Sequence, residues 1–167
     1  QNAYDLGDVS LLGSVFRDVP NGIDAQFMLY GELQLALAEA ASRGLIGGAA
    51  ATYYQEGITA MFNYYGEEVP GTYLLQPEVA LSGVNDLEKI LTQKWLALFN
   101  NGHEAWFNIR RMGIPSLQVA ADNLNGDQYP VRYRYPQTEQ AANNAHRLEA
   151  AGRIGGDTYN SPGWWEQ

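Results

Sequence analysis

Apolar side chains recur at helical spacing in two segments near the start of the chain, residues 24–43 and 48–66. The short Gly47–Gly48 connection predicts that the two helices are antiparallel neighbours. We expect Asp24 to cap the first helix and Gly44 to end it. The predicted inward faces are Leu29, Leu33, Ala36, Leu37 and Ala40 in the first helix, and Ala51, Tyr54, Ile58, Met61, Phe62 and Tyr65 in the second.

The pair of helices resembles one tetratricopeptide-like hairpin. Small side chains at Ala38, Ala40, Ala41 and Gly57 would let its two backbones approach closely. Because such units need stacked neighbours for stability, we expect the hairpin to pack on helices that this chain does not supply.

Further helices are predicted from Asn85 to about residue 99, over residues 103–111, and from Pro136 to about residue 150. Asn85 and Glu88 have the spacing of a capping box. The segments 67–83 and 115–130 carry no periodicity and are predicted to be loops, and no β-hairpin is indicated. The apolar face of the third helix is predicted to consist of Leu87, Leu91, Lys94, Trp95 and Leu98. We expect Trp95 and Trp106 to be buried, so that replacing either with alanine would cost about 3–5 kcal/mol.

Composition excludes several classes of function. The net charge of −9 argues against a general nucleic-acid binder and against a polybasic membrane contact. No cysteine is present, so this chain offers no disulfide or thiolate chemistry. No run of about twenty apolar residues occurs, and the first residues do not form a signal peptide.

No catalytic or metal-binding constellation stands out. Glu32 and Glu39 would lie about 10.5 Å apart along one helix, which is too far for a shared proton and wide for a glycosidase pair. His103 and His146 lie in no metal-binding frame. The oxygen-rich segment 122–127 does not fit an EF-hand and is predicted to be a polar turn. We therefore expect no enzyme activity, no cofactor and no metal.

The arginines are predicted to form a structural network, which we favour over the alternative that they contact a ligand directly. Arg110 follows Trp106 by four residues and can stack on its ring. Arg132 and Arg134 alternate, so both would point to one side of an extended segment. We expect these arginines to pair with buried carboxylates, such as Glu39, Glu104 or Glu139, and Glu39 also to pair with Arg43.

Aromatic residues make up 12% of the chain, and sugars are often bound on exposed aromatic rings. Most aromatic side chains nevertheless fill cores or interhelix spaces. The possible platforms are Tyr53, Tyr64, Tyr73, Tyr129, Trp164 and Trp165. Of these we select Tyr73, Trp164 and Trp165 as predicted ligand contacts.

Four sequence segments together resemble the C-terminal part of the SusD/RagB family, the starch-utilisation-system D-like proteins of Bacteroidota. They are YGELQLALAEAASRG (30–44), LEKILTQKWLALFNNGHEAWFNIRRMGIPSL (87–117), RYRYPQTEQAANN (132–144) and the tryptophan pair near the end. The resemblance implies a mainly α-helical fold of tetratricopeptide-like hairpins with irregular loops. Residues 1–167 would then be the C-terminal portion of a single SusD-like domain. The positions that match the family as scaffold are Glu39, Trp95, Trp106, Arg111, Tyr135 and Pro136.

The resemblance also implies a function. A member of this family is a lipoprotein on the extracellular face of the outer membrane, held by an N-terminal lipid anchor that this chain lacks. It acts as the lid of a SusC-like TonB-dependent transporter and captures oligosaccharides, or peptides in some members, without covalent chemistry. Two alternatives from other classes are a tetratricopeptide-like scaffold that binds another protein and a glycan-cleaving enzyme.

Overall fold

The computed structural model describes residues 12–18, 20, 24–120 and 122–163, and within them it is helical and contains no strand. This confirms the mainly α fold class. The chain divides into two compact units, Gln1–Gly102 and His103–Gln167. The helices are α1 (Ser14–Arg17), α2 (Tyr30–Ser42), α3 (Ala50–Tyr64), α4 (Asp86–Ala97), α5 (Gly102–Met112), α6 (Gln137–Ala142) and α7 (Asn144–Arg153), with a 3₁₀ turn at Tyr73–Leu75.

Helices α2 and α3 form the predicted antiparallel hairpin. Gly31, at the start of α2, lies against Gly57 in the middle of α3 and Met61 near its end. A methyl group added at Gly31 would lie 2.9 Å from the carbonyl oxygen of Gly57. The two helices approach this closely because neither glycine places a side chain between the backbones.

The core of the first unit lies between α2, α3 and α4. It contains Leu35, Ala38, Tyr54, Ile58, Met61, Val79, Ile90 and Ala97. Tyr54 donates a hydrogen bond of 2.8 Å to the carbonyl oxygen of Val79, so the segment after α3 is fixed to the core. The inward face predicted for α3 is confirmed at Tyr54, Ile58 and Met61, whereas Ala51 is exposed.

The inward face predicted for α2 is only partly right: Leu29 packs against the core, but none of the predicted side chains is among the buried ones. Leu33 is exposed, whereas Leu35 and Ala38 are buried. Apolar residues occur on several sides of this helix, so their spacing alone leaves its rotation open. The contact between Gly31 and Gly57 brings the face that carries Leu35 and Ala38 toward α3.

The predicted helix starts also need correction. Helix α2 begins at Tyr30 rather than after Asp24, while Gly44 ends it in a left-handed conformation as predicted. Asn85 is left-handed and makes no capping hydrogen bond with its side chain. The carboxylate of Asp86 instead accepts hydrogen bonds from the backbone of the preceding turn at Ser82 and Gly83.

Two expectations in the later part of the chain also change. The single helix predicted from Pro136 is two helices, α6 and α7, because Asn143 leaves the helical conformation with φ −144° and ψ 37°. Trp95 and Trp106 are half-buried rather than buried as predicted. No helix in the described part of the chain is long and apolar enough to cross a membrane.

Candidate functional site

The second unit contains an aromatic cleft with a volume of about 360 Å³. Helix α5 contributes one side of it, and the irregular segments before α6 and after α7 contribute the rest. The residues that line the aromatic cleft are Trp106, Asn125, Pro130, Arg132, Tyr133 and Tyr159.

Trp106 is held in place by contacts at its ring nitrogen and on its ring. Its Nε1 donates a hydrogen bond of 2.8 Å to the carbonyl oxygen of Pro130. The guanidinium of Arg110, one helical turn later, lies 4.6 Å from the centre of the ring, which confirms the predicted stacking. The ring of Tyr133 meets the indole edge to face, with 5.2 Å between the ring centres.

Tyr133 is the most exposed aromatic ring of the cleft, with 65% of its surface accessible. Its hydroxyl lies 3.2 Å from Nε2 of His103, at the start of α5. Contacts with His103 and Trp106 therefore restrain the ring while it remains open to solvent.

Arg132 is held by a buried carboxylate. Its Nη2 lies 3.6 Å from Oδ1 of Asp157, and its Nη1 donates a hydrogen bond of 3.4 Å to the carbonyl oxygen of Gly156. The guanidinium also lies 4.8 Å from the centre of the Tyr135 ring. Asp157 also forms a second ion pair, at 3.1 Å, with Arg147.

The predicted arginine network is therefore present around Arg132, but its carboxylate was predicted wrongly. Asp157 holds Arg132 in place of the expected Glu39, Glu104 or Glu139. Glu39 instead forms ion pairs within the first unit, at 3.2 Å with Arg43, as predicted, and at 3.1 Å with Lys94.

Asn125 is fixed by the segment that we predicted to be a polar turn. Its backbone N–H donates a hydrogen bond of 2.6 Å to the side chain of Asn123. Its amide nitrogen donates to the carbonyl oxygen of Gln128 at 3.0 Å and to the side chain of Asn160 at 2.7 Å. In the described ranges, no group of three or more His, Cys, Asp or Glu side chains could hold a metal ion.

This arrangement suits binding by ring stacking. Trp106, Tyr133 and Tyr159 offer aromatic surface, and the polar lining groups of Asn125 and Arg132 are already bonded within the protein. The cleft is therefore largely preformed, as small-molecule sites usually are. None of its six lining residues carries a carboxyl group, so the lining itself contains no acid–base pair for glycoside cleavage.

The predicted ligand contacts lie elsewhere or cannot be placed. Tyr73 is half-buried in the first unit, where its hydroxyl donates a hydrogen bond of 3.0 Å to Gln93 and its ring packs against Phe62. It lines a separate, mostly apolar cavity of about 250 Å³. Trp164 and Trp165 lie outside the described residues.

The other residues assigned to the scaffold have visible structural contacts. Tyr135 lies beneath Arg132, and Pro136 is the N-cap of α6. The side chain of Arg111 is 3.5 Å from that of Asn108, one turn earlier on α5.

Sequence reasoning missed Tyr133 and Tyr159 as possible ligand contacts and gave Trp106 only a scaffold role. Trp106 and Tyr133 both lie in segments that carry the family resemblance. Nothing in the spacing of those segments shows that the two rings meet, since 27 positions separate them.

Residues 8–136 match the family model SusD-like_2, described as "Starch-binding associating with outer membrane". This chain belongs to that SusD-like family, a family of glycan-binding proteins associated with the outer membrane. Comparison with curated protein sequences finds no significant match.

Solved structures of relatives agree with this assignment. A SusD-like protein from Bacteroidetes is 31% identical, with a TM-score of 0.75 over 84% of this chain and 30% of its own. A SusD homologue from Bacteroides fragilis is 34% identical, with a TM-score of 0.71 over 83% of this chain and 34% of its own. A chitin-binding protein is 33% identical, with a TM-score of 0.70 over 83% of this chain and 32% of its own. The chain thus spans about a third of the length of these relatives.

Proposed function

We propose that this chain is part of a nutrient-binding protein on the extracellular face of the outer membrane, where it captures oligosaccharides by ring stacking and without covalent chemistry. The description of its family as starch-binding and the chitin-binding relative support a glycan as the ligand. The observation that carries the proposal is the aromatic cleft, in which Trp106 and Tyr133 are held in fixed orientation beside open space.

Stacking on these rings suits an uncharged sugar. The apolar face of a pyranose can cover an aromatic ring, and such contacts add to the burial of apolar area. The contacts already made by Tyr133 with His103 and Trp106 reduce the entropy that its ring would lose on binding.

The partner in this proposal is a SusC-like TonB-dependent transporter, for which the protein acts as a lid. An N-terminal lipid anchor would hold the full protein at the membrane. Tyr73, Trp164 and Trp165 remain predicted ligand contacts, and the assignment of residues 1–167 to the C-terminal portion of a single SusD-like domain remains a prediction.

Calorimetric titration of the full-length protein with maltohexaose, chitohexaose and a peptide panel tests the binding function. We expect at least one hexasaccharide to bind and to raise the melting temperature, with no release of shorter products. Tyr133→Ala should weaken that binding because it removes the exposed ring. Tyr64→Ala is the matched control, since Tyr64 is also on the surface, 44% exposed, but lies on α3 in the first unit.

Equal loss of affinity in both tyrosine variants, or no loss in either, would refute the aromatic cleft as the binding site. An unchanged melting temperature with every glycan and peptide would refute the nutrient-binding function. Product release that is abolished by a Glu→Gln change would instead support an enzyme.

The proposed partner requires a separate experiment. We expect the native full-length protein, purified from its own membranes in mild detergent, to bring down a large outer-membrane transporter that mass spectrometry can identify. Recovery of soluble proteins alone would contradict the lid function and favour the tetratricopeptide-like scaffold.

A further inference from the structure

Arg132 is the only charged residue among the six that line the aromatic cleft. An arginine in a sugar-binding cleft would ordinarily favour acidic sugars, because its planar guanidinium can donate two parallel hydrogen bonds to a carboxylate. The contacts that already occupy this guanidinium therefore influence whether the cleft selects acidic or uncharged glycans.

Both terminal nitrogens of Arg132 are already engaged within the protein. Nη1 donates a hydrogen bond to the carbonyl oxygen of Gly156, and Nη2 faces Oδ1 of Asp157 at 3.6 Å. One side of the guanidinium also lies over the ring of Tyr135. A carboxylate on a ligand would have to compete with these contacts.

Asp157 is itself fixed in position. Its side chain is only 8% exposed, and its Oδ1 accepts a hydrogen bond of 3.0 Å from the backbone N–H of Tyr135. Its Oδ2 accepts one of 3.1 Å from Arg147. Moving this carboxylate away from Arg132 would break both hydrogen bonds, so we expect it to stay in place when an anionic ligand approaches.

We propose that Asp157 is a specificity-determining residue. It occupies the guanidinium of Arg132 and compensates its positive charge, so that the cleft selects uncharged glycan segments over segments that carry carboxylates. The inference rests on the proposed glycan-binding function. Asp157 does not line the cleft itself and acts through Arg132, which is one of the lining residues.

The charge balance indicates the direction of the effect. Loss of the carboxylate raises the formal charge of the Arg132, Arg147 and Asp157 cluster from about +1 to about +2. Arg110 and Arg134, whose guanidinium groups lie over the Trp106 and Tyr159 rings, keep their charge in both proteins. Loss of the carboxylate also weakens the attraction on Nη2 of Arg132, because the amide oxygen of asparagine carries no formal charge, so a carboxylate on the ligand competes more easily. Asp157→Asn should therefore improve binding of acidic glycans relative to uncharged ones.

The test is calorimetric titration of the full-length protein with maltohexaose, chitohexaose and a galacturonic acid hexamer at low salt. Wild type should bind at least one uncharged hexamer more tightly than the acidic one. In Asp157→Asn the affinity ratio of acidic to uncharged hexamer should rise at least about fivefold, and high salt should reverse that gain.

Glu149→Gln is the matched control. It changes the formal charge of the chain by the same amount, but Glu149 is 63% exposed and pairs with Arg153 on the surface of α7. The ratio should stay unchanged in this variant. An equal rise in both variants would show a general effect of net charge and would overturn the role of Asp157.

The remaining outcomes separate the two proposals. Failure of wild type to bind any of the three hexamers would overturn this inference, and failure to bind the peptide panel as well would overturn the binding function. Binding by wild type with an unchanged ratio in a folded Asp157→Asn protein would overturn the inference alone. If that variant does not fold, the wild-type protein decides: tighter binding of the acidic hexamer than of either uncharged one would refute the proposal, and the reverse order would support it.

Discussion

The ring nitrogen of Trp106 donates a hydrogen bond of 2.8 Å to the carbonyl oxygen of Pro130, 24 residues later in the chain. This bond ties α5 to the irregular segment that supplies much of the aromatic cleft. It also fixes the plane of the indole. Tyr133, which packs against that indole, is the more exposed of the two rings.

Replacing Trp106 with phenylalanine tests this bond. The variant keeps an aromatic ring but removes the donor to the exposed Pro130 carbonyl, which water can then hydrate. We therefore expect the free energy of unfolding to fall by about 0.5–1.5 kcal/mol more than the loss of ring size alone would cause. Urea denaturation followed by circular dichroism measures the difference.

Trp95→Phe is the control for ring size. Trp95 is also half-buried, and its indole nitrogen donates no hydrogen bond within the described part of the chain. Equal destabilisation in the two variants would mean that the bond to Pro130 contributes little to stability.

The contact between Gly31 and Gly57 predicts an unusual response to alanine. In most helices, changing glycine to alanine increases stability by roughly 1 kcal/mol. A methyl group at Gly57 would lie 2.7 Å from Cγ of the buried Leu35, so Gly57→Ala should instead lower stability by about 1–3 kcal/mol. The change in melting temperature checks the sign.

Gly152→Ala provides the opposite expectation in the same assay. Gly152 lies in α7, and an added methyl group there would meet nothing within 4 Å. Its melting temperature should rise or stay the same. A rise in both variants would show that α2 and α3 can separate without cost.

Glu39 should contribute more to stability than Glu149, which forms an ion pair of the same spacing on the surface. Its side chain is 8% exposed and pairs with both Arg43 and Lys94. Removing one partner of a buried ion pair leaves uncompensated charge, so Glu39→Gln should cost about 2–4 kcal/mol in chemical denaturation.

Glu149 has the same spacing to its arginine, with a distance of 3.1 Å to Arg153, but the pair is exposed. Glu149→Gln should therefore cost less than about 0.5 kcal/mol. Comparable losses in the two variants would contradict the difference in burial between the pairs.

The buried hydroxyl of Tyr54 should make the folded protein less stable in alkaline solution. Burial raises the pKa of its hydroxyl above the ordinary value of 10.0, so the folded state keeps the proton where the unfolded state releases it. The stabilising contribution is complete below pH 10 and decreases as the pH rises above it, by up to about 1.4 kcal/mol for each pH unit.

Tyr54→Phe should remove this part of the pH dependence. It should also lower stability at neutral pH by about 1–2 kcal/mol, because the Val79 carbonyl loses its donor. Urea denaturation at pH 8, 10 and 11 compares the two proteins. Parallel pH profiles would contradict the assignment to Tyr54.

The sequence by itself determined the helical class, the paired α2 and α3, and the local contacts of Glu39 with Arg43 and of Arg110 with Trp106. The two side-chain contacts follow from spacing within one helix, where residues three and four apart must be neighbours. The pairing of α2 with α3 follows from the short connection between them. The resemblance to SusD-like proteins was also available from sequence segments alone.

The tertiary structure alone decided which face of α2 is buried, and it brought Trp106, Tyr133 and Tyr159 together with Asp157 behind Arg132. These contacts join positions more than twenty residues apart, and most residues of the cleft lie in segments that have no periodic pattern. The path of such a segment depends on turns and long-range hydrogen bonds, such as that from Trp106 to Pro130, which form only when the whole unit packs.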